Sequence, residues 1–199
     1  MKFADVKKMI KEINTHDKVV IEYNKMKPLP EGYVLKVSDD WCAAYVSVIL
    51  YKAGYKRIIE CSVPRMILLA RAAGIYKTSG YKPKKGDLVI YDWDGNKDGD
   101  HVGIITDIDN IGFITVKEGN KAGSIGVRWL PYEDSRVMAF ISIPYDKEEA
   151  PSVGEEYKTV DDIVNAIIKG SFGNGDNRKE MLYNYFQKKV NESLVDSPS

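Results

Sequence analysis

The helical and the strand patterns of this 199-residue sequence occupy separate stretches of the chain, which limits the folds it can adopt. Apolar residues at helical spacing predict a helix from Phe3 to Ile13, and a nearly continuous apolar run predicts a mostly buried helix from Trp41 to Leu50. A third helix is predicted from Pro64 to Ala73, because proline favours the first helical turn and Gly74 ends the helix. Five short β-rich runs separated by Asp, Asn and Gly turns then follow, at 87–91, 101–106, 112–117, 125–130 and 137–143. Helices followed by strands predict an α+β fold with an antiparallel sheet, not a parallel βαβ fold.

The chain changes character again after the last predicted strand. Residues 146–157 are polar without periodicity and are predicted to be a linker between a first domain at 1–145 and a second at 158–195. The second domain begins with an apolar stripe that includes Val160 and Ile163 and that Gly170 ends, and a further stripe runs from Met181 to Val190. We therefore predict a small all-α bundle of about 40 residues, near the lower size limit for independent folding.

Composition excludes several classes of function. Lys and Arg number 29 and so do Asp and Glu, and this balance argues against non-specific nucleic-acid binding, which needs a basic face. No apolar run approaches the ~20 residues that a bilayer requires, so membrane insertion is not expected. The first residues carry charges throughout, so they are expected to form an amphipathic helix and not a secretory signal. The two cysteines, Cys42 and Cys61, do not form a disulfide framework, and Cys61 has no base in its sequence neighbourhood.

Cys42 is the candidate nucleophile, because it falls in the first turn of a predicted helix, after the candidate N-caps Ser38, Asp39 and Asp40. Unpaired backbone N–H groups and the positive end of the helix dipole favour a thiolate there. The alternative is a small buried hydrophobic side chain, which is the commoner role for an isolated cysteine.

A base and an orienting group follow Cys42 in the chain. His101 begins a predicted strand, and the neighbouring strand ends in Glu118 and Asn120, either of which can hold an imidazole through its second nitrogen. The alternatives are a surface histidine and ordinary turn residues, and His16 is interpreted as such a surface turn histidine. Cysteine, then histidine, then amide or carboxylate is the order of papain-like sites.

Four strings in this order resemble the CHAP family of cysteine, histidine-dependent amidohydrolases/peptidases, which cut bacterial peptidoglycan. They are residues 40–46 (DWCAAYV), 86–91 (GDLVIY), 100–104 (DHVGI) and 118–120 (EGN), and the resemblance covers about residues 1–145. It implies a papain-like domain in which helices pack on an antiparallel sheet.

The resemblance also implies roles for the matching residues. Cys42 would be the nucleophile, His101 the base that deprotonates it and later protonates the leaving amine, and Glu118 the group that orients the imidazole. Asn120 would be an auxiliary polar group, and the backbone N–H of Cys42 would help to hold the oxyanion. Trp41 would bind substrate at the cleft or simply pack in the core.

The C-terminal segment resembles the short wall-binding repeat of Cpl-type phage lysins. An apolar helix precedes a Gly-x-aromatic-Gly-Asn-Gly-x-x-Arg pattern, which supplies Phe172, Asn174 and Arg178 as candidate contacts to peptidoglycan. The guanidinium of Arg178 would pair with a stem-peptide carboxylate, and the alternative is an ordinary surface arginine. The sequence departs from the family in having Phe172 where tryptophan is usual and in a short stretch from 182 to 186.

The loop from Asp92 to Asp100 contains a calcium-loop opening, with Asp94, Asn96 and Asp98 at alternate positions. The twelfth position from Asp94 is Ile105 instead of the glutamate that an EF-hand requires, so an EF-hand is excluded. A looser calcium site and an acidic hairpin loop both remain open, and no other cofactor is expected.

The sequence therefore predicts a phage-type endolysin that cleaves an amide bond of peptidoglycan, either as an N-acetylmuramoyl-L-alanine amidase or as an endopeptidase. The alternative is a catalytically silent wall-binding or structural protein that keeps the papain-like shell. The expected partner is bacterial peptidoglycan, and the expected route is synthesis in the host cytoplasm followed by release to the wall.

Overall fold

The computed structural model describes residues 1–78, 80–146 and 160–168, together with the single positions Lys179, Leu182 and Phe186. The chain separates into two compact units, Met1–Asp146 and Lys147–Ser199. Within the described residues, none of the helices has both the length and the apolar character needed to cross a bilayer.

Four helices precede most of the sheet in the first unit. They are α1 (Phe3–Glu12), α2 (His16–Asn24), α3 (Cys42–Lys52) and α4 (Val63–Ala72), with a 3₁₀ turn at Pro30–Gly32. The predictions for α1, α3 and α4 are confirmed to within a few residues at each end. The sequence analysis missed α2, which begins where the Thr15 hydroxyl accepts a hydrogen bond from the backbone N–H of Lys18.

The central helix α3 is buried along nine consecutive residues, Cys42–Leu50, because it packs against α1, α2 and two strands of the sheet. The predicted side-chain cap of this helix is wrong. Its N-cap is Trp41, which makes no side-chain capping bond. Asp39 instead accepts hydrogen bonds from the N–H of Lys36 and the hydroxyl of Tyr33, and Asp40 is bonded to a strand residue.

The sheet has six strands in the order β1-β6-β2-β3-β4-β5, and every neighbouring pair is antiparallel, as predicted. The strands are β1 (Tyr76–Lys77), β2 (Leu88–Tyr91), β3 (His101–Ile108), β4 (Phe113–Lys121), β5 (Ser124–Pro131) and β6 (Val137–Ile141). Only the two-residue β1 was not predicted.

Strand register decides which side chains share a face of the sheet. Tyr91 on β2 lies opposite His101 on β3, and Gly103, two residues along β3, lies opposite Glu118 on β4. Because side chains alternate between faces with a period of two, Tyr91, His101 and Glu118 project from the same face.

In the second unit the structure describes one helix, α5 (Val160–Ile168), which coincides with the first predicted apolar stripe. Lys179, Leu182 and Phe186 are also helical. The rest of the predicted bundle, and the predicted linker at 146–157 apart from Asp146, lie outside the described residues.

Candidate active site

Cys42, His101 and Glu118 come together in the first unit. Cys42 is the first residue of α3, His101 is the first residue of β3, and Glu118 lies towards the end of β4. All three side chains are buried. The Nε2 atom of His101 lies 3.4 Å from Oε2 of Glu118, an approach that is not aligned as a hydrogen bond. The imidazole also interacts with the side chain of Cys42.

The surroundings of His101 favour its protonated form. Burial by itself would lower the pKa of the imidazole, but the polar interactions of the ring with Cys42 and Glu118 raise it to about 9. The charged form of the ring is therefore stabilised on two sides, by the thiol group and by the carboxylate.

Two glycines allow the backbone to approach this closely. A Cβ atom on Gly119 would lie 2.4 Å from Cβ of Tyr45 on α3 and 2.9 Å from the ring of Trp41. A Cβ atom on Gly103 would lie 2.9 Å from Cγ of Glu118. The first glycine lets β4 lie against the start of α3, and the second leaves room for the carboxylate beside the imidazole.

Arg128, on the edge strand β5, grips the carboxylate of Glu118 with two donors. Its Nε lies 2.8 Å from Oε1, and one terminal nitrogen lies 3.1 Å from Oε2. Burial alone would raise the pKa of Glu118, but the nearby imidazole of His101 and the two hydrogen bonds from Arg128 outweigh it and hold the pKa below its ordinary value. The buried carboxylate is thus kept ionised between two cationic groups.

The aromatic rings of Tyr91 and Trp93 lie next to the ion pair of Arg128 and Glu118. The rings of Tyr91 and Trp93 stack with their centroids 4.7 Å apart, and the guanidinium of Arg128 lies 5.3 Å from the first ring and 5.0 Å from the second. Trp93 is also 6.0 Å from the ring of His101, and 42% of its surface is exposed. Trp93 therefore presents an open aromatic surface next to the candidate base.

Asn120 does not contact the imidazole in the structure. Its backbone has a φ of 55°, a left-handed conformation that asparagine tolerates better than most residues. Its side-chain amide donates a 2.8 Å hydrogen bond to Asp40, two residues before Cys42. Asn120 therefore connects the end of β4 to the segment that leads into α3.

The stacking of Trp41 on His16 decides between the two alternatives for Trp41 and corrects the interpretation of His16. Trp41 is only 2% exposed, and its ring stacks on His16 at 4.5 Å and meets the edge of Tyr45. This burial corresponds to the packing alternative and leaves no ring face open to a substrate. His16 is not a surface turn residue, because it begins α2 and its Nε2 is buried. The contact between the rings of Trp41 and His16 forms only in the folded chain, so the sequence pattern could not show it.

In the acidic loop between β2 and β3, aspartate side chains accept hydrogen bonds from the backbone N–H groups of the loop itself. Carboxylate oxygens of Asp92, Asp94 and Asp100 lie within 4.8 Å of one another, a different grouping from the predicted Asp94, Asn96 and Asp98. Backbone N–H groups of the loop donate to all three of these carboxylates. This pattern is that of a hairpin loop held by Asx turns.

The sequence analysis missed Arg128, Tyr91 and Trp93. The alternation along the predicted strand 125–130 already sets Arg128 on the face opposite its neighbours Val127 and Trp129. The alternation pattern does not show which residue on the neighbouring strand Arg128 contacts. The predicted wall-contacting residues Phe172, Asn174 and Arg178 lie outside the described residues.

A buried cysteine at a helix start, beside an imidazole that a carboxylate flanks, is typical of a nucleophile–base–orienter site of a hydrolase. Comparison with known families gives a consistent result. Residues 34–120 match the model of the CHAP domain, and residues 161–194 match that of the CW_7 repeat, a cell-wall-binding repeat. The chain therefore contains a region similar to the CHAP domain and, after it, a region similar to the CW_7 repeat.

Solved structures with similarity to the chain include an N-acetylmuramoyl-L-alanine amidase from Staphylococcus aureus, at 17% identity and a TM-score of 0.42. This match covers 60% of the present chain and 35% of the amidase. Ly7917 with the hydrolyzing product of MDP matches at 17% identity and a TM-score of 0.39, covering 70% of this chain and 63% of that one. A second structure of Ly7917 matches at 14% identity and a TM-score of 0.38, covering 69% and 62%. The chain thus spans about a third of the amidase and just under two thirds of Ly7917. No curated protein matches it.

Proposed function

We propose that the chain is a peptidoglycan hydrolase that cleaves an amide bond with Cys42 as its nucleophile. The observation that supports this most directly is the interaction of the buried Cys42 side chain with His101, whose Nε2 atom faces Glu118. The CHAP match over residues 34–120 supports the same reaction class.

The geometry suggests how the reaction proceeds. An imidazolium at His101 stabilises a thiolate at Cys42, and the thiolate attacks the carbonyl carbon of the scissile amide. The backbone N–H of Cys42 belongs to the first turn of α3, where amide groups have no partner within the helix, so it is free to stabilise the oxyanion. His101 then gives its proton to the leaving amine. In the second half of the reaction it accepts a proton from the water that hydrolyses the thioester.

Cys42→Ala tests the enzyme against the catalytically silent alternative. The variant should lose digestion of purified cell walls and keep its folding, whereas Cys61→Ala, which removes the other thiol, should keep full activity. Cys61 suits this control because the structure places it beside Glu60, where burial raises the pKa of its thiol. Wall digestion by Cys42→Ala at the wild-type rate would contradict the enzyme proposal and leave the silent wall-binding protein.

The bond that is cut is proposed to be either the N-acetylmuramoyl-L-alanine amide or a peptide bond of the stem or cross-bridge. Both are amides that the same nucleophile and base can cleave. Mass spectrometry of digested wall separates them, because an amidase releases intact stem peptides from the glycan and an endopeptidase leaves stems attached.

The C-terminal unit is proposed to hold the enzyme on the wall. A second contact to an insoluble polymer raises the effective concentration of the catalytic unit at its substrate. Phe172→Ala and Arg178→Ala, each made in the Cys42→Ala chain to prevent digestion, should reduce co-sedimentation with purified walls. Lys179→Ala, next in the sequence to Arg178, is the matched control, and equal sedimentation of all variants would contradict a role for the motif.

The resemblance of the repeat to Cpl-type lysins further suggests a phage-type endolysin that reaches the wall after synthesis in the host cytoplasm. Expression in a bacterial cytoplasm should then leave cells intact until a pore-forming holin is co-expressed. Lysis without the pore would argue against this route.

We propose that the reaction itself needs no cofactor, because its nucleophile, base and orienting group are all supplied by the chain. The loop carboxylates Asp92, Asp94 and Asp100 are the residues that would hold calcium if the looser site exists. Isothermal titration with calcium decides this, since absence of binding heat would remove the calcium site.

A further inference from the structure

We propose that Arg128 is a positioning residue of the hydrolase, which fixes the carboxylate of Glu118 so that it faces the imidazole of His101. This inference rests on the proposed function, since it assigns a fourth side chain to the same site. It adds to the nucleophile, base and carboxylate a residue from the edge strand β5.

The first argument is the geometry of the contact. Glu118 on β4 lies opposite Gly126 on β5, and Arg128, two residues along β5, lies diagonally across from Glu118 on the same face of the sheet. The two guanidinium bonds of 2.8 and 3.1 Å engage both carboxylate oxygens. A two-point contact fixes the rotation of the carboxylate as well as its position, and it leaves Oε2 directed at His101.

The second argument is burial. Glu118 is fully buried, and its contact with His101 is too poorly aligned to satisfy the carboxylate alone. Arg128 supplies the charge and the donors that keep this carboxylate ionised. In the absence of the guanidinium, the carboxyl would take up a proton more readily and lose its effect on the imidazole.

The third argument concerns how Arg128 itself is held. Its guanidinium carbon lies 5.3 Å from the ring centroid of Tyr91 and 5.0 Å from that of Trp93, so aromatic contacts hold the guanidinium in addition to its bonds to the carboxylate. A lysine ammonium has no planar fork, so it can replace the charge but not this orientation.

The ionisable groups that interact with Glu118 come from three other strands of the sheet. They are His101 on β3, Arg128 on β5 and the phenol of Tyr91 on β2, and Cys42 in turn interacts with His101. Asp134 and Arg136 lie further out and are paired with each other at 2.7 Å. Removing Arg128 therefore removes the cation that grips Glu118 while His101 stays in place.

The test compares Arg128→Met with Arg128→Lys and with Arg136→Met, all in a Cys61→Ala background with one remaining thiol. Arg136 is the matched control, because it is an arginine near the site that bonds to Asp134 and not to Glu118. Two quantities are measured as a function of pH: the rate of Cys42 alkylation by iodoacetamide and the rate of wall digestion. Thermal unfolding is recorded for each variant.

In Arg128→Met the acid limb of both profiles should move to higher pH, by less than the roughly one to three pH units by which an adjacent arginine shifts a carboxyl group directly, because the effect reaches Cys42 through Glu118 and His101. Arg128→Lys, which keeps the positive charge, should shift the acid limb by less than Arg128→Met does. Arg136→Met should leave both profiles unchanged. An Arg128→Met variant whose pH profiles match the parent overturns the proposal, whether or not its melting temperature falls.

The Arg128→Lys variant and the alkylation assay keep the test decisive. If Arg128→Met does not fold, Arg128→Lys provides the result, and an unchanged acid limb in that variant overturns the proposal. Alkylation needs no peptidoglycan, so it separates the two proposals. A chain that fails to digest walls but whose alkylation profile depends on Arg128 contradicts the proposed function and supports the positioning role.

Discussion

Removal of the Cys42 thiol should lower the pKa of His101, and this effect is measurable without substrate. The structure raises that pKa from its ordinary 6.5 to about 9, which corresponds to about 3 kcal/mol of extra stabilisation of the imidazolium. Burial opposes this stabilisation, and the polar interactions of the ring with Cys42 and Glu118 outweigh it. Cys42→Ala removes one of the two partners, so the His101 midpoint should fall by about one pH unit or more.

The assay is a pH titration of the histidine ring signals by NMR, with His101 distinguished from His16 by the signals lost in His101→Ala. Cys61→Ala is the matched control and should leave the His101 midpoint where it is in the wild type. A midpoint that is the same in Cys42→Ala and in the wild type would refute the reasoning. It would mean that the sulfur does not interact with the imidazole, and the proposed nucleophile and base would lose their geometric support.

Three further predictions follow from the contacts around the site. Gly119→Ala places a methyl group 2.4 Å from Cβ of Tyr45, so the free energy of unfolding in urea should fall by about 1–3 kcal/mol; an unchanged value would contradict the close approach of β4 to α3. Asp40→Ala breaks the exposed hydrogen bond to Asn120, so it should cost about 1 kcal/mol or less in the wild type and less than that in an Asn120→Ala background, where the bond is already absent. Glu118 has a lowered folded-state pKa, so its stabilisation is present above 4.5 and is lost as the pH falls through the lower value. Chemical denaturation from pH 6 to pH 3 should therefore show a smaller loss of stability in Glu118→Gln than in the wild type, and equal slopes would count against this assignment.

Local patterns were sufficient for elements whose stability depends on a long or regular apolar face. The continuous run of α3 and the turn-bounded strands β2 to β6 were predictable because the length of an apolar run, its β-branched content and the turn residues at its ends are local features of the sequence. The helix α2 was missed because its apolar residues Val19, Val20 and Ile21 are consecutive and β-branched, so they do not mark one face of a helix. The predicted caps of α3 were wrong because Asp39 and Asp40 bond to residues outside the helix.

The sequence by itself determined the α+β class, the antiparallel sheet and the choice of Cys42, His101 and Glu118, because residue type and the ends of elements are local properties. Three contacts were decided only by the tertiary structure. Arg128 bonds to Glu118, the ring of His16 stacks on Trp41, and the partly exposed Trp93 lies next to His101. The physical reason is register. Which side chains meet across two strands, or across a strand and a helix, depends on how the whole sheet pairs and packs, and a shift of one residue would turn every side chain of a strand to the other face.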